Sequence, residues 1–496
     1  MGNWLKICSL LLLQTTLFSA VTARATGVDD DVGPPFLNIE DVVDALQADF
    51  PYLAPADVSL HIPDHIFYSP TVVELQRHIE STPGWKEAFE TAINDSVSTG
   101  IEFQGVHDIP SLLDYLTRLL VWMPSEVEDG KFMYDKFALL GFLFDHPSII
   151  ALPDAQNPIA PSQFKKPKRY LTEWLIRYNR SLGAWLGSPE SISPETVETF
   201  RSAPKFNMDD YIEPEGGWAT FNDFFARHVK PEKRPIAGID DPCIIIQPAD
   251  SVFDGAWPIS SNKEVTIKGV PWPIQELFNG SKYVDKFKDG LFTHSFLNIN
   301  DYHRQHAPVS GKIVEVQNID GYAYAIASVA NPAGVEAADS SDSPDSSESS
   351  DEDLELFGSG KGNRGRSRSG LAEEGFPDHD KSGKPELTVK RRLQLDDEAG
   401  FQFLQLRGLI VIEATELGGY VAILPIGMGQ CSSVMITVKE GDDVKKGDEI
   451  SYFQFGGSDV VMIFSKDMNV QMTAQEGTHY LMGEAIAKAV PVVVPS

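Results

Sequence analysis

At 496 residues, 42% hydrophobic and 10% aromatic, the chain has the size and composition of a globular protein of two or three domains. Its formal net charge of −31 argues against a nucleic-acid binder, whose phosphates it would repel, and gives no general attraction to an anionic membrane. Three cysteines exclude a disulfide-built scaffold, and no Cys-x-x-Cys or His/Cys cluster argues for a metal.

The N-terminus reads as a cleavable secretory signal over 1–23. Lys6 supplies positive charge, Ile7 to Phe18 is mostly apolar, and Val21-Thr22-Ala23 offers the small residues that signal peptidase favours. The apolar run is short for a membrane span. The expected destination is the secretory pathway or the exterior, with peripheral membrane contact. Cleavage would remove Cys8 and leave Cys243 and Cys431, whose pairing stays open. Asn94-Asp95-Ser96, Asn179-Arg180-Ser181 and Asn279-Gly280-Ser281 are glycosylation sequons in such a compartment.

Residues 24–66, rich in Pro and Asp, form an extended lead-in with one short helix near Ile39 to Gln47. Between 67 and 200 the apolar spacing becomes helical: Val72, Val73, Leu75 and Ile79, then Leu112, Leu113, Tyr115, Leu116, Leu119 and Leu120, then Leu171, Trp174, Leu175, Tyr178, Leu182 and Trp185. At Gly216-Gly217-Trp218 the pattern changes. A short helix over Phe221 to Arg227 precedes β-type runs at Cys243–Gln247, Glu264–Lys268, Phe292–Ile299, Lys312–Gln317, Leu409–Glu413 and Tyr420–Ile426. Residues 331–399 interrupt them. This insert is Ser-, Gly- and acid-rich, with nine acids and no Lys or Arg from Glu336 to Glu355, and is expected to be disordered. The fold class is α+β: a helical N-terminal domain (67–200), then a mostly antiparallel β domain (210–330 and 400–496). Glu440 to Ile450 reads as a tight hairpin like those of biotinyl- and lipoyl-type barrel-sandwiches, without their carrier lysine context.

Two strands, Ile450–Phe455 and Val460–Phe464, flank Gly456-Gly457-Ser458. Alone, that corner is a hairpin turn. It gains meaning beside Gln247-Pro248-Ala249-Asp250 and Asp301-Tyr302-His303-Arg304-Gln305-His306-Ala307-Pro308. A carboxylate, an imidazole and a hydroxyl are the set needed to activate a serine, the acid orienting the base and the base taking the hydroxyl proton.

Together these residues resemble the pyruvoyl-dependent phosphatidylserine decarboxylase family, over roughly 216–330 and 400–470. Trp218 to Pro235 is similar to its F-x-x-F-F-x-R…K-x-x-x-R-P-I entry segment. Asp301 to Pro308 resembles its D-Y-H-R-x-H-x-P motif, and Gly456-Gly457-Ser458 its Gly-Ser processing site. The Gly-Gly-Ser form resembles a soluble fungal branch that decarboxylates aromatic amino acids such as tryptophan. Where the family has Gly after Pro-x-Asp, this chain has Ser251, and Asp254-Gly255 offers another Asp-Gly pair.

The resemblance implies a zymogen. Ser458 attacks the Gly457 carbonyl, the chain splits into a β and an α chain, and Ser458 becomes a covalent pyruvoyl group. Asp250, His306 and Ser458 are the implied self-cleavage triad, and His303 handles decarboxylation or reprotonation. The implied substrate is phosphatidylserine, converted to phosphatidylethanolamine and carbon dioxide; the alternative is a free aromatic amino acid. A reading from another class is a non-catalytic secreted binding protein on the same scaffold.

Overall fold

The computed structural model describes residues 68–98, 105–330, 400–427, 433–456 and 458–490, with the backbone of 378–379, 385–386 and 392–395. The expected signal, the lead-in with its helix near Ile39–Gln47, Cys431 and most of the 331–399 insert lie outside these residues.

Helices come first: α1 (Pro70–Ser81), α2 (Trp85–Ser98), α3 (Ile109–Leu119), α4 (Phe132–Phe144), α5 (Tyr170–Leu186), α6 (Pro194–Arg201) and α7 (Phe221–Phe225). Their starts follow local chemistry. Ser69 caps α1 ahead of Pro70, Asp108 and Ser111 form a capping box on α3, and Thr220 caps α7 through Asp223 N. Lys131 gives α4 no side-chain cap; instead the buried carboxylate of Glu126 accepts from Phe132 N at 2.6 Å. The expected apolar stripes are buried, Val72, Leu75 and Ile79 on α1 and Leu112, Leu113, Tyr115, Leu116 and Leu119 on α3, with Val73 only half-buried. α4 is apolar on nearly every side, as suits a helix enclosed by other elements. Asn179 is buried in α5, so its sequon is inaccessible in the folded chain; Asn94 and Asn279 are exposed.

The strands are β1 (Ile244–Ile246), β2 (Ser251–Pro258), β3 (Glu264–Ile267), β4 (Val270–Pro273), β5 (Leu291–Leu297), β6 (Arg304–His306), β7 (Gly311–Ile319) and β8 (Ala327–Ala330). They continue with β9 (Asp378–His379), β10 (Pro385–Glu386), β11 (Arg392–Leu395), β12 (Arg407–Ala414), β13 (Gly419–Gly427) and β14 (Val434–Ile436). The last are β15 (Asp443–Val444), β16 (Glu449–Phe453), β17 (Ser458–Phe464), β18 (Val470–Met472), β19 (Thr478–Tyr480) and β20 (Ala485–Ala489). Their pairings are antiparallel throughout, which bears out an α+β chain with antiparallel sheets. Strands β9 and β10 pair with each other and β11 pairs with β8, so sheet structure re-enters at Asp378, before the expected end of the insert at 399.

The main sheet has eight strands in the order β15-β7-β12-β13-β17-β5-β2-β19. Its central strands are buried on both faces. Ile410, Ile412, Val421, Ile423, Val460 and Met462 join the core that also holds Leu75, Leu116, Leu143 and Trp174 of the helices. The alternate residues Leu409, Val411, Ala422, Leu424, Val461 and Ile463 join a second core with Trp272 and Phe403. This is the period of two expected of a strand, with an apolar partner on either side. Each of the larger side chains, Ala422 apart, contributes about 1.5–3 kcal/mol when fully buried.

Strand β16 belongs elsewhere, to a three-stranded sheet in the order β14-β16-β6. The Gly-Gly-Ser corner is therefore not a hairpin turn: the strands it joins do not pair with each other. The 440–450 stretch has the expected turn–strand–turn–strand form, but β15 pairs with β7 while β16 pairs with β14 and β6. Both segments carry the chain between sheets.

Gly141 of α4 tests the helix–sheet contact. A Cβ there would lie 2.8 Å from the Ile326 backbone carbon and 2.9 Å from Ala327 Cβ, whereas one at Gly183 of α5 meets nothing within 4 Å. Gly141→Ala is expected to destabilise by about 1–3 kcal/mol, and Gly183→Ala to be neutral or stabilising by up to about 1 kcal/mol. Chemical denaturation of the two variants checks this; equal effects would contradict the packing.

Candidate active site

Phe455 anchors the corner. It is buried among Phe137, Phe221 and Phe225, with ring centroids 5.2, 5.4 and 5.1 Å away. Its N–H donates to Asn222 Oδ1 at 3.1 Å, and Asn222 Nδ2 donates to Gly183 O at 3.3 Å. Helix α7 thus supplies both the aromatic wall and the polar clamp. Gly456 follows with φ 120°, a backbone conformation open chiefly to glycine. Ser458 then starts β17, in register with Gly427 of β13 and Leu297 of β5.

His303 lies on this side of the site. Its carbonyl accepts from Phe453 N at 2.9 Å, and its ring stacks on Phe225 at 3.9 Å. The ring is fully buried, and neither nitrogen has a hydrogen-bond partner. Burial, and then the nearby Arg227 charge, pull its pKa down to about 3, so it is neutral across the physiological range. Arg227 is itself buried, its guanidinium carbon 3.9 Å from the centre of the Tyr211 ring.

His306 is held differently. Its Nδ1 lies 2.7 Å from Gly447 O, a group that only accepts, so Nδ1 carries the proton. Nε2 then accepts from Tyr302 OH at 3.0 Å. Burial lowers its pKa, against an opposing pull from the Gly447 hydrogen bond. His303 and His306 are an odd number of residues apart in extended chain, and no hydrogen bond joins them.

Asp250 is buried and satisfied. Arg234 Nε donates to both its oxygens, at 2.8 and 3.1 Å, Arg234 Nη2 donates to Oδ2, and Met482 N donates to Oδ1 at 2.8 Å. It makes no hydrogen bond to His306. The connection between them is indirect: His306 N donates to Pro248 O at 2.8 Å, and Tyr302, which touches His306, feels the Asp250 charge. The structure thus joins His303 to the corner, His306 to Tyr302 and Gly447, and Asp250 to Arg234.

Arg234 and Asn222, both inside the entry segment, escaped the sequence reading, as did Asp459. Asp254, the alternative Asp-Gly acid, lies with its Oδ2 2.9 Å from His294 Nδ1. Next to Ser458, Asp459 is fully buried, with Oδ2 3.1 Å from His294 Nε2 but without hydrogen-bond alignment.

A groove of about 520 Å³ opens beside the corner, lined by Trp218, Asn222, Arg227, Arg304, Tyr452 and Gln454 among others. Arg304 closes one side, donating to Ala226 O at 2.6 Å and to Glu449 Oε1 at 2.7 Å. A depression of about 360 Å³ elsewhere, lined by Pro235, Ile236, Tyr480 and Gly483, contains none of the predicted side chains.

The profile of the phosphatidylserine decarboxylase family, a family of carboxy-lyases, matches residues 221–348 and 379–488. Phosphatidylserine decarboxylase proenzyme 3 of Schizosaccharomyces pombe is 28% identical over 277 residues, covering 56% of this chain and 22% of that protein. The proenzyme of Fusobacterium nucleatum is 25% identical over 300 residues, covering 60% and 75%. L-tryptophan decarboxylase of Psilocybe cyanescens is 26% identical over 292 residues, covering 57% and 55%. The matched region is thus under a quarter of the first relative and about half of the third.

His303 makes the fold acid-sensitive. In the folded chain it takes up a proton only at about pH 3, and once unfolded near its ordinary value of about 6.5. Between those values the unfolded chain binds more protons, so stability falls as pH falls from neutrality toward 3. Urea unfolding is expected to show this loss, on the order of a few kcal/mol, and His303→Phe to flatten it. An unchanged pH slope in that variant would contradict the assignment.

Proposed function

We propose that this chain is a self-processing, pyruvoyl-dependent decarboxylase that converts phosphatidylserine to phosphatidylethanolamine and carbon dioxide. The observation that carries the reading is the Gly456-Gly457-Ser458 crossover, suspended between two sheets beside the buried, neutral His303.

Ser458 Oγ, losing its proton to a base, attacks the Gly457 carbonyl carbon. The C–N bond breaks, the amine takes a proton, and an ester links the two halves. Loss of the Ser458 Cα proton then breaks the Cβ–O bond. Gly457 leaves as a carboxylate, and the new terminus hydrolyses to a ketone with release of ammonia. No oxidant or reductant is needed. The proposed base is His306, whose Nδ1–H tautomer, fixed by Gly447, leaves Nε2 basic. Tyr302 must exchange its hydrogen bond for the base to act. Asp250 supports it through its charge on Tyr302, held in place by Arg234.

The group fits this chain, since its carbon skeleton comes from Ser458, water supplies its ketone oxygen, and glycine relieves crowding at the attacked carbonyl. Its ketone supplies an electron sink for decarboxylation. His303 offers a dry, uncharged surface on Phe225 for the substrate carboxylate, where loss of charge as carbon dioxide is favoured. The groove beside Gln454 is within the size range of small-ligand sites. Among the described residues no helix is long and apolar enough to cross a membrane, so access to lipid would be peripheral, in the compartment the N-terminal signal selects.

A second substrate, a free aromatic amino acid such as tryptophan, is supported by relatives of that name and by Trp218 and Tyr452 in the groove. Carbon dioxide release from phosphatidylserine in micelles against free tryptophan separates the two. Release from the lipid alone is expected, and release from tryptophan alone would overturn the lipid assignment. Ser458→Ala is expected to abolish cleavage and activity together. His306→Gln should slow cleavage by about 10²–10⁴-fold. His303→Gln should leave cleavage intact and lower turnover by a similar factor. The reverse pattern in the two histidine variants would exchange their roles.

A further inference from the structure

On the second face of the main sheet, three adjacent strands place charged residues together. β17 carries Asp459, β5 carries His294 and β2 carries Asp254. The surroundings are apolar: Val461, Ile463 and Phe292 on the same strands are core residues. Burying a carboxylate in such a place costs several kcal/mol unless it is paired.

His294 provides the pairing. It is itself buried, with Nδ1 2.9 Å from Asp254 Oδ2 and Nε2 3.1 Å from Asp459 Oδ2. Gln402 Nε2 also lies 3.1 Å from Nε2, and the Phe401 ring stands edge-on at 6.3 Å. Asp254 reaches the ring because β2 bulges: Phe253 pairs with Ser295 and Gly255 with His294, leaving Asp254 as the extra residue. Glu476 Oε1 lies near Gly255, on the solvent side of this group. Burial raises the Asp459 pKa, with His294 opposing it and Asp254 adding to it.

Asp459 is the residue after the bond that would break. Ser458 is the first residue of its strand, and strand ends fray unless something holds them. We propose that His294 is a positioning residue for chain cleavage: through Asp459 on one side and Asp254 on the other, it fixes the start of β17, and with it the approach of Ser458 to the Gly457 carbonyl. This rests on the reading that Gly457–Ser458 is the scissile bond.

The test follows cleavage of the full-length chain after cell-free synthesis, on denaturing gels. The wild type, His294→Gln and Asp459→Asn are compared. The thermal midpoint of each is measured in a Ser458→Ala background, which keeps the chain whole. His294→Gln is expected to slow cleavage roughly tenfold or more, beyond what the lowered midpoint of the same change in the Ser458→Ala background accounts for. Asp459→Asn, which keeps a side chain able to hydrogen-bond His294, is expected to slow it less. A wild-type rate in both variants would overturn the positioning role, as would slowing that merely tracks loss of the folded state. If His294→Gln does not fold, an Asp459→Asn rate equal to that of the wild type overturns the role. A wild-type chain that never cleaves would instead overturn the scissile-bond reading itself.

Discussion

Strand β17 is held from both sides. It lies in the middle of an eight-stranded sheet, hydrogen-bonded to β13 on one side and β5 on the other, with apolar cores on both faces. β16, just before it in the chain, is fixed in a different sheet by β14 and β6. Residues 454–458 must span the distance between two bodies that packing holds apart. A hairpin turn would close on itself and relax; a crossover between sheets has both ends set by other contacts. The glycines belong here for that reason, and any strain in the backbone has nowhere to dissipate.

The surroundings of the crossover share one character, which is dryness. Phe455 sits in an aromatic cluster, His303 stacks on a member of it, and burial keeps that imidazole neutral. The charged groups are set back and matched. Asp250 is spent on Arg234, and Asp459 is paired with His294. A neutral imidazole on the crossover's side of the site, with charge held at a remove, suits the proposed chemistry, which begins by taking a proton from a hydroxyl and ends by losing a charged carboxylate as a neutral gas.

Local pattern carried much of this. The helical spacing of α1, α3 and α5 and the β-runs of β5, β12, β13 and β17 follow directly from their apolar residues, because each buries a stripe whose period the sequence displays. Asp250, His303 and His306 stood out through short motifs. What local pattern cannot carry is the partner of a strand. Alternation in 450–455 and 460–464 is the same for a hairpin and for a crossover, so the corner read as a turn. For the same reason Glu440 to Ile450 read as a hairpin, although β15 and β16 pair elsewhere. His294, in Leu291-Phe292-Thr293-His294-Ser295-Phe296, looks like a lone histidine in a core strand. Asp459 looks like the last residue of a turn. Only the order β17-β5-β2, set by contacts distant in sequence, brings them to Asp254. The side-chain partners of Asp250 and His306 were hidden in the same way, since Arg234 and Tyr302 become neighbours only after folding.

The central claim is that the crossover breaks itself and that Ser458 does not persist as serine. Intact-mass analysis of the purified protein after prolonged incubation tests it most directly. The account predicts a large fragment ending at Gly457 and a short C-terminal chain that begins at position 458. That short chain should lack a free amino terminus and be lighter, by one ammonia, than a serine-started peptide. A single uncleaved chain, or a fragment with an intact serine amine at 458, would contradict it.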